Sequence, residues 1–198
     1  MVLPVHQAVT PVGRQVELKG LRPQALALSP DGRLLVTAGK THELVVVDPA
    51  TGTIRQRVPL PANRVDEPRP AAPSANILKP DKEGQLSFTG IVFSPEGKRI
   101  YLSNVDGDIK VFAVDAAGEV TALHSLPLPA AMAPRRKEEI PSGLALSPDG
   151  RTLYVALNLS NGLGEFDTAT GKMLRRFEGG GAPFDVVLVG HKAYVSNW

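Results

Sequence analysis

The chain has no cysteine among its 198 residues, which excludes disulfides and thiolate metal sites and leaves its redox compartment unmarked. Aromatic residues make up only 5%, and 22 basic against 20 acidic side chains give a net charge of +2. The charges are interspersed, so the pI near 9.0 reflects a small excess and not a basic face, and nucleic acid is not an expected partner. No apolar run reaches the roughly 18 residues of a membrane span. The opening Met1-Val2-Leu3-Pro4-Val5-His6 lacks the basic and apolar regions of a signal peptide. Room for helices is also missing. Nineteen glycines and eighteen prolines puncture the chain, and the longest stretch free of both runs only from Arg151 to Asn161. With 42% hydrophobic residues and a mean hydropathy of −0.04, the composition is that of a folded domain. The expected class is all-β.

What is present is a repeat. The phrase Ser-Pro-Asp/Glu-Gly followed by a basic residue and an apolar strand occurs at Ser29-Pro30-Asp31-Gly32-Arg33, Ser94-Pro95-Glu96-Gly97-Lys98 and Ser147-Pro148-Asp149-Gly150-Arg151. A degenerate fourth copy runs from Val189-Gly190-His191-Lys192 into Ala193-Tyr194-Val195-Ser196. Proline presets φ in such a turn, aspartate tolerates the next position, and glycine takes positive φ. One hairpin recurring at intervals of tens of residues means one supersecondary unit stacked repeatedly.

Each unit reads as four strands. The first gives 24–28, 33–38, 43–47 and 53–60, with the turn Asp48-Pro49-Ala50-Thr51-Gly52. The second gives 86–93, 99–104, 108–114 and 119–126; the third gives 143–146, 152–157, 163–166 and 172–177. A fourth starts with 184–189 and ends with 193–198. Strands such as Val45-Val46-Val47 and Val111-Phe112-Ala113-Val114 are apolar on both faces, so sheets are expected to stack on both sides, as in a β-propeller. A two-sheet sandwich competes, but unit-for-unit repetition disfavours it.

These hairpins resemble the YVTN class of β-propeller repeats, together with the Asp-Pro-Ala-Thr-Gly turn and the strands Ile100-Tyr101-Leu102-Ser103-Asn104 and Ala193-Tyr194-Val195-Ser196-Asn197. The resemblance covers Leu21 to Trp198. Leu21-Arg22-Pro23-Gln24-Ala25-Leu26-Ala27-Leu28 and Arg135-Arg136-Lys137-Glu138-Glu139-Ile140-Pro141 are further similar to the front part of bacterial YncE-like proteins, some of which join the propeller to an alkaline-phosphatase-like phosphoesterase domain. The resemblance implies a periplasmic or extracellular protein. It also implies three functions to weigh: a non-catalytic binding or scaffold module, a lactonase-like hydrolase with a metal at the central funnel, or a cell-surface adhesion module.

Blades are expected at 21–60, 85–126, 141–178 and, incomplete, 182–198. About three and a half blades do not close a ring of the usual four to eight. The chain is therefore expected to be part of a seven-bladed propeller, completed by the remainder of the same polypeptide or by a second copy. Residues 1–20 form a separate segment in which Gly13 to Lys19 reads as a lone outer strand that completes the last blade.

Antiparallel order places the tight turns at one end of the blades and the long connectors at the other, where binding residues usually sit. The connectors are 61–85 and 127–141 between blades, and 40–42, 105–107 and 158–162 within them. Candidates for a polar or anionic ligand on the loop-rich face are Lys40, His42, Asn76, Asn104, Asp106, Arg135, Arg136, Lys137, Asn158, Asn161 and Asn197. Asn104, Asn158 and Asn197 end three second strands and would ring the funnel, although asparagine equally serves as a cap at strand exits. Arg135-Arg136-Lys137 could clamp an acidic group, although the adjoining Glu138 and Glu139 suit a solvated loop. His6, His42, His124 and His191 lack metal-binding spacing, and Gly179-Gly180-Gly181 lacks the Lys-Ser/Thr and helix of a phosphate loop. No nucleophile–base pair or Gly-x-Ser-x-Gly elbow is visible. No catalytic residue, resident metal or cofactor is expected, although the funnel amides could also take a divalent cation. Trp198 reads as a core residue whose cover is missing.

Overall fold

The computed structural model describes residues 12–62 and 81–198. Asn76 and His6 lie outside the described residues. Fourteen strands and no helix are found among the described residues. They make three four-stranded antiparallel meanders and one two-stranded hairpin. The first sheet holds β1 (Pro23–Leu28), β2 (Leu35–Gly39), β3 (Glu43–Val47) and β4 (Ile54–Pro59). The second holds β5 (Leu86–Phe93), β6 (Arg99–Asn104), β7 (Asp108–Val114) and β8 (Val120–Pro127). The third holds β9 (Pro141–Leu146), β10 (Thr152–Leu157), β11 (Gly162–Asp167) and β12 (Met173–Glu178); β13 (Pro183–Val189) and β14 (Lys192–Asn197) make the fourth.

The repeated turn works as its chemistry dictates. The hydroxyl oxygens of Ser29, Ser94 and Ser147 accept from the amides of Leu34, Arg99 and Thr152 at 2.9, 3.0 and 3.0 Å. Gly32, Gly97 and Gly150 stand at φ +72°, +72° and +69°, and each donates its amide to the serine carbonyl at 2.8 Å. In the first and third turns the serine hydroxyl also donates to Asp31 or Asp149 at 2.6 Å.

Adjacent sheets stack through their side chains. The first and second enclose Leu34, Val36, Leu44, Val46, Val58, Ile91, Phe93, Ile100, Leu102 and Phe112. The second and third enclose Tyr101, Ile109, Val111, Leu144, Leu153, Val155 and Phe166. Alternate residues of β7 thus face opposite neighbours, which explains its continuous apolarity. The first strands of successive sheets lie side by side as the innermost layer, where small residues let backbones close in. A Cβ on Gly90 would stand 1.9 Å from Ser103 Oγ and 2.1 Å from the Ser142 carbonyl oxygen. Two serines stitch the inner layer: Ser103 Oγ donates to the Ser142 carbonyl at 2.6 Å and Ser142 Oγ to the Pro183 carbonyl at 2.7 Å.

The segment expected as a lone outer strand differs. Gly13 to Lys19 forms no strand. Leu18 and Leu21 instead pack over Val45 and Val47 on the free face of the first sheet, and Arg14 donates to the Ala50 carbonyl at 2.8 Å. No strand among the described residues is placed to pair with it, so leucine packing and a few hydrogen bonds, Arg57 to the Lys19 carbonyl among them, hold it in place of a ladder. Other apolar groups on the outer flanks stay exposed: Leu26 and Leu28 on β1, Leu174 and Phe177 on β12, and Val187 and Val189 on β13.

Candidate functional site

The β2–β3, β6–β7 and β10–β11 loops and the connectors between sheets gather at one end. Backbone strain gathers there too. Among the described residues, four that are not glycine have positive φ: Phe88 (51°), Arg135 (63°), Asn161 (52°) and Ala182 (44°). All four stand at the loop-rich end, and the tight-turn end uses glycine wherever φ is positive. Non-glycine residues rarely adopt this conformation unless their surroundings impose it.

Lys40 and His42 sit exposed in the β2–β3 loop. Nδ1 of His42 lies 2.9 Å from the Gly84 carbonyl oxygen and its own carbonyl accepts from Leu60 at 3.1 Å, tying the loop to the following connector. Asn104 has no exposure. Its Nδ2 donates to Asp108 Oδ1 and its Oδ1 accepts from the Gln85 amide, each at 2.9 Å. Asp106 is exposed at the tip of the β6–β7 turn. Desolvation, then the nearby Asp81 carboxylate, push its carboxyl above the ordinary value. Arg135, Arg136 and Lys137 are exposed in a turn closed by the Ala131 amide donating to the Lys137 carbonyl at 2.9 Å.

Asn158 donates from Nδ2 to the Pro183 carbonyl at 3.1 Å, and Asn161 Oδ1 accepts from the Ala182 amide at 2.9 Å. Asn197 is exposed beside Gly180. The three strand-end asparagines are not equivalent. Pairing aligns Asn104 with Leu86, Leu157 with Pro141 and Asn197 with Pro183, so Leu157 occupies the shared position and Asn158 lies one residue beyond. The candidates therefore spread along the loops, with most of their amides spent on backbone partners, and do not converge.

Beneath them lies a group that sequence reading did not single out. Lys110 on β7 has no solvent exposure, and its Nζ stands 2.8 Å from Asp81 Oδ2, 3.0 Å from Asp108 Oδ2 and 3.2 Å from Ser125 Oγ. Ser125 Oγ donates to the Ala62 carbonyl at 2.8 Å, and the Asp81 amide donates to the Leu60 carbonyl at 2.9 Å. Both stems of the first connector are thereby pinned to the second sheet. Burial pushes Asp81 upward, but the Lys110 ammonium and the amides of Glu83 and Gly84 outweigh it and hold the carboxyl below its usual range. At Asp108 burial wins, and the carboxyl is raised despite Lys110 and Asn104. The signal for this group was a lysine within a strand apolar on both faces, which must be buried and therefore paired.

No group of three or more His, Cys, Asp or Glu among the described residues could hold a metal. Among the described residues, Asn104 is committed to Asp108 and Gln85, Asn158 to Pro183 and His42 to Gly84, so with Asp106 these four do not by themselves form a cation cage.

A family model described as "Lactonase, 7-bladed beta-propeller" matches residues 90–178, and no curated protein matches the chain. Among solved structures, the β-propeller domain of Myceliophteria thermophila Cps50 (Swd1) is similar at 12% identity and a TM-score of 0.65, covering 93% of this chain and 52% of that one. The fold is a β-propeller. Hydrazine synthase of Kuenenia stuttgartiensis is similar at 19% identity and a TM-score of 0.60, covering 90% and 42%, and a functionally unknown protein of Desulfotomaculum acetoxidans at 18% and 0.64, covering 88% and 49%. The chain thus spans about half the length of each of these structures. Identities this low speak to fold alone. The four sheets are propeller blades, three complete and one of two strands.

Proposed function

We propose that this chain is a non-catalytic β-propeller module of the YVTN/YncE-like kind, binding a polar or anionic ligand, or a partner domain, on its loop-rich face. The supporting observation is the segregation of strain: every non-glycine positive φ among the described residues lies at that end. Proteins retain such strain where function repays it. Lys40, Arg135, Arg136 and Lys137 give the face exposed cations suited to an anionic group. The apolar flanks at β1 and β12–β13 are covered by the rest of a longer polypeptide, which in the YncE-like resemblance can include a phosphoesterase domain; a second copy of the chain is the competing cover.

A lactonase-like reading draws on the family match over 90–178. No reaction step is derived from it, because among the described residues no three His, Cys, Asp or Glu gather into a metal cage.

Amide NMR spectra recorded during titration with inorganic phosphate, carboxylates and a δ-lactone test the reading. Saturable shifts confined to the loop-rich residues, with no lactone turnover in added calcium or zinc, are expected. Metal-dependent hydrolysis would overturn the non-catalytic assignment, and shifts centred on the Ser-Pro-Asp-Gly turns would overturn the choice of face.

A further inference from the structure

The second blade departs from the others at the start of its innermost strand. In β1, β9 and β13 a proline (Pro23, Pro141 or Pro183) pairs with the end of the second strand, and one extra residue follows before regular pairing resumes. In β5 that place belongs to Leu86, and pairing resumes only at Ile91: five steps on β5 oppose two from Asn104 to Leu102, so the bulge holds three extra residues. Its apex is Phe88, a bulky residue at φ 51°. The Phe88 ring meets Phe184 edge-on at 5.8 Å and Trp198 at 6.4 Å, and Phe184 meets Trp198 at 4.8 Å. Trp198, 77% exposed, thus joins an aromatic cluster reaching from blade two to blade four. On either side of Phe88, the hydroxyls of Ser87 and Thr89 are shielded from solvent and have no hydrogen-bond partner. The strained backbone and the two unpaired hydroxyls are costs that a bound molecule can relieve.

We propose that the Ser87–Gly90 bulge, with Phe184 and Trp198, binds a small neutral molecule that carries a flat aromatic ring and a hydroxyl or carbonyl group. The chemistry selects this class. Three rings in mutual contact leave no cage for a cation between them, but offer faces and edges on which a further ring can pack. Hydroxyls donate and accept, so they match one polar substituent without a charge. The nearest carboxylate along the chain, Asp185, caps its own strand through the Val186 amide at 2.9 Å. The inference rests on the loop-rich end being the binding end, and narrows it to one place.

Trp198 is the only tryptophan, so its fluorescence reads this site directly. Titrating the 198-residue chain with 4-methylphenol, with tryptophan amide as the collisional control, is expected to give a saturable change. Phe88→Gly, which suits positive φ and so preserves the fold, is expected to weaken binding about tenfold through the lost ring packing. Ser87→Ala is expected to weaken it about threefold through one lost hydrogen bond. Thermal melts verify that both variants fold, and toluene, lacking the hydroxyl, is expected to bind more weakly. Three results would sink the inference: no saturable response, an equal response to tetramethylammonium, or binding that ignores both substitutions. Amide shifts separate its failure from that of the broader reading. Binding mapped elsewhere on the loop-rich end overturns this site alone, whereas binding mapped to the tight turns overturns both.

Discussion

At one end of these blades the reversals are short glycine turns, most of them capped by a serine hydroxyl or an aspartate carboxylate; at the other, the loops carry Arg135, Asn161 and Ala182 at positive φ above a lysine with no exposure at all. The first arrangement satisfies its backbone groups within a few residues of sequence, so it recurs with little change. The second depends on groups brought from far along the chain, such as Asp81 to Lys110 and Ala62 to Ser125. Local chemistry repeats because it needs only its own neighbours; the non-local end is where blades become individual.

The strongest attack on this contrast is Lys110→Met. It strands the Asp81 and Asp108 carboxylates in the interior, and removing one partner of a buried ion group costs about 3–5 kcal/mol. Arg33→Met, which breaks the exposed ion pair with Asp31 at the tight-turn end, is expected to cost less than about 1 kcal/mol. Urea unfolding of both variants measures the difference. Equal losses would erase the distinction. Adding Asp108→Asn to Lys110→Met is expected to recover part of the loss, since one stranded charge is gone.

The same division explains what could be read from the sequence. The strands 43–47, 86–93, 99–104, 108–114 and 152–157 were legible to the residue because glycine turns bracket them, and the remaining nine shifted by no more than two residues at either end. The turns and the stacked sheets follow from local rules. The ion group was half-legible: Lys110 sits in a strand with two buried faces, but nothing in the spacing names Asp81 as its partner. The bulge at Phe88 was not legible, because Leu86-Ser87-Phe88-Thr89-Gly90 is as good a strand sequence as its neighbours, and only pairing with β6 exposes the extra residues. The offset of Asn158 from Asn104 and Asn197 was hidden for the same reason: register, not residue type, decides which side chains are equivalent.

Glycine substitutions sharpen the comparison at intermediate size. Gly90→Ala drives a methyl group into Ser103 and the Ser142 carbonyl, breaks the stitch between blades two and three, and is expected to cost about 1–3 kcal/mol as overpacking. Gly32→Ala meets open space, so only the strain of positive φ opposes it, about 1 kcal/mol. Thermal melts that rank them in the opposite order would show that conformation, not packing, limits the inner layer.

Acid titration should separate the ends by direction. The Ser29 hydroxyl, then the Arg33 amide, hold Asp31 down to about 2, and hydroxyl or amide donors likewise lower Asp48, Asp149 and Asp167. A lowered carboxyl stabilises the fold above its unfolded pKa, and that contribution is lost as pH falls through the folded value. Asp106 and Asp108 are raised by desolvation, so their contribution is present below the unfolded pKa and fades as pH rises through the folded one. Asp81 is the exception at the loop-rich end: burial raises it, but the Lys110 ammonium and the Glu83 and Gly84 amides together outweigh burial and lower it with the turn aspartates. Side-chain carboxyl NMR titrations are expected to place the four turn aspartates below 3.8 and Asp106 and Asp108 above it. Turn aspartates that titrate normally would mean the hydroxyl bonds are weak in solution.

The smallest effect tests whether the repeated turn is a unit that can be improved by local rules alone. In the first and third copies serine donates to aspartate at 2.6 Å; in the second, Ser94 keeps its bond to the Arg99 amide, but Glu96 carries one more methylene and its carboxylate lies toward Gly150 of the next blade. Glu96→Asp shortens that reach and permits the serine–carboxylate bond, for an expected gain of about 0.5 kcal/mol, the low end for one exposed hydrogen bond. A matching downward shift of the new carboxyl in the NMR titration would show the bond directly. A loss of stability instead would mean that Glu96 already serves the neighbouring blade, so that even the tight-turn end is tuned by contacts beyond its own hairpin.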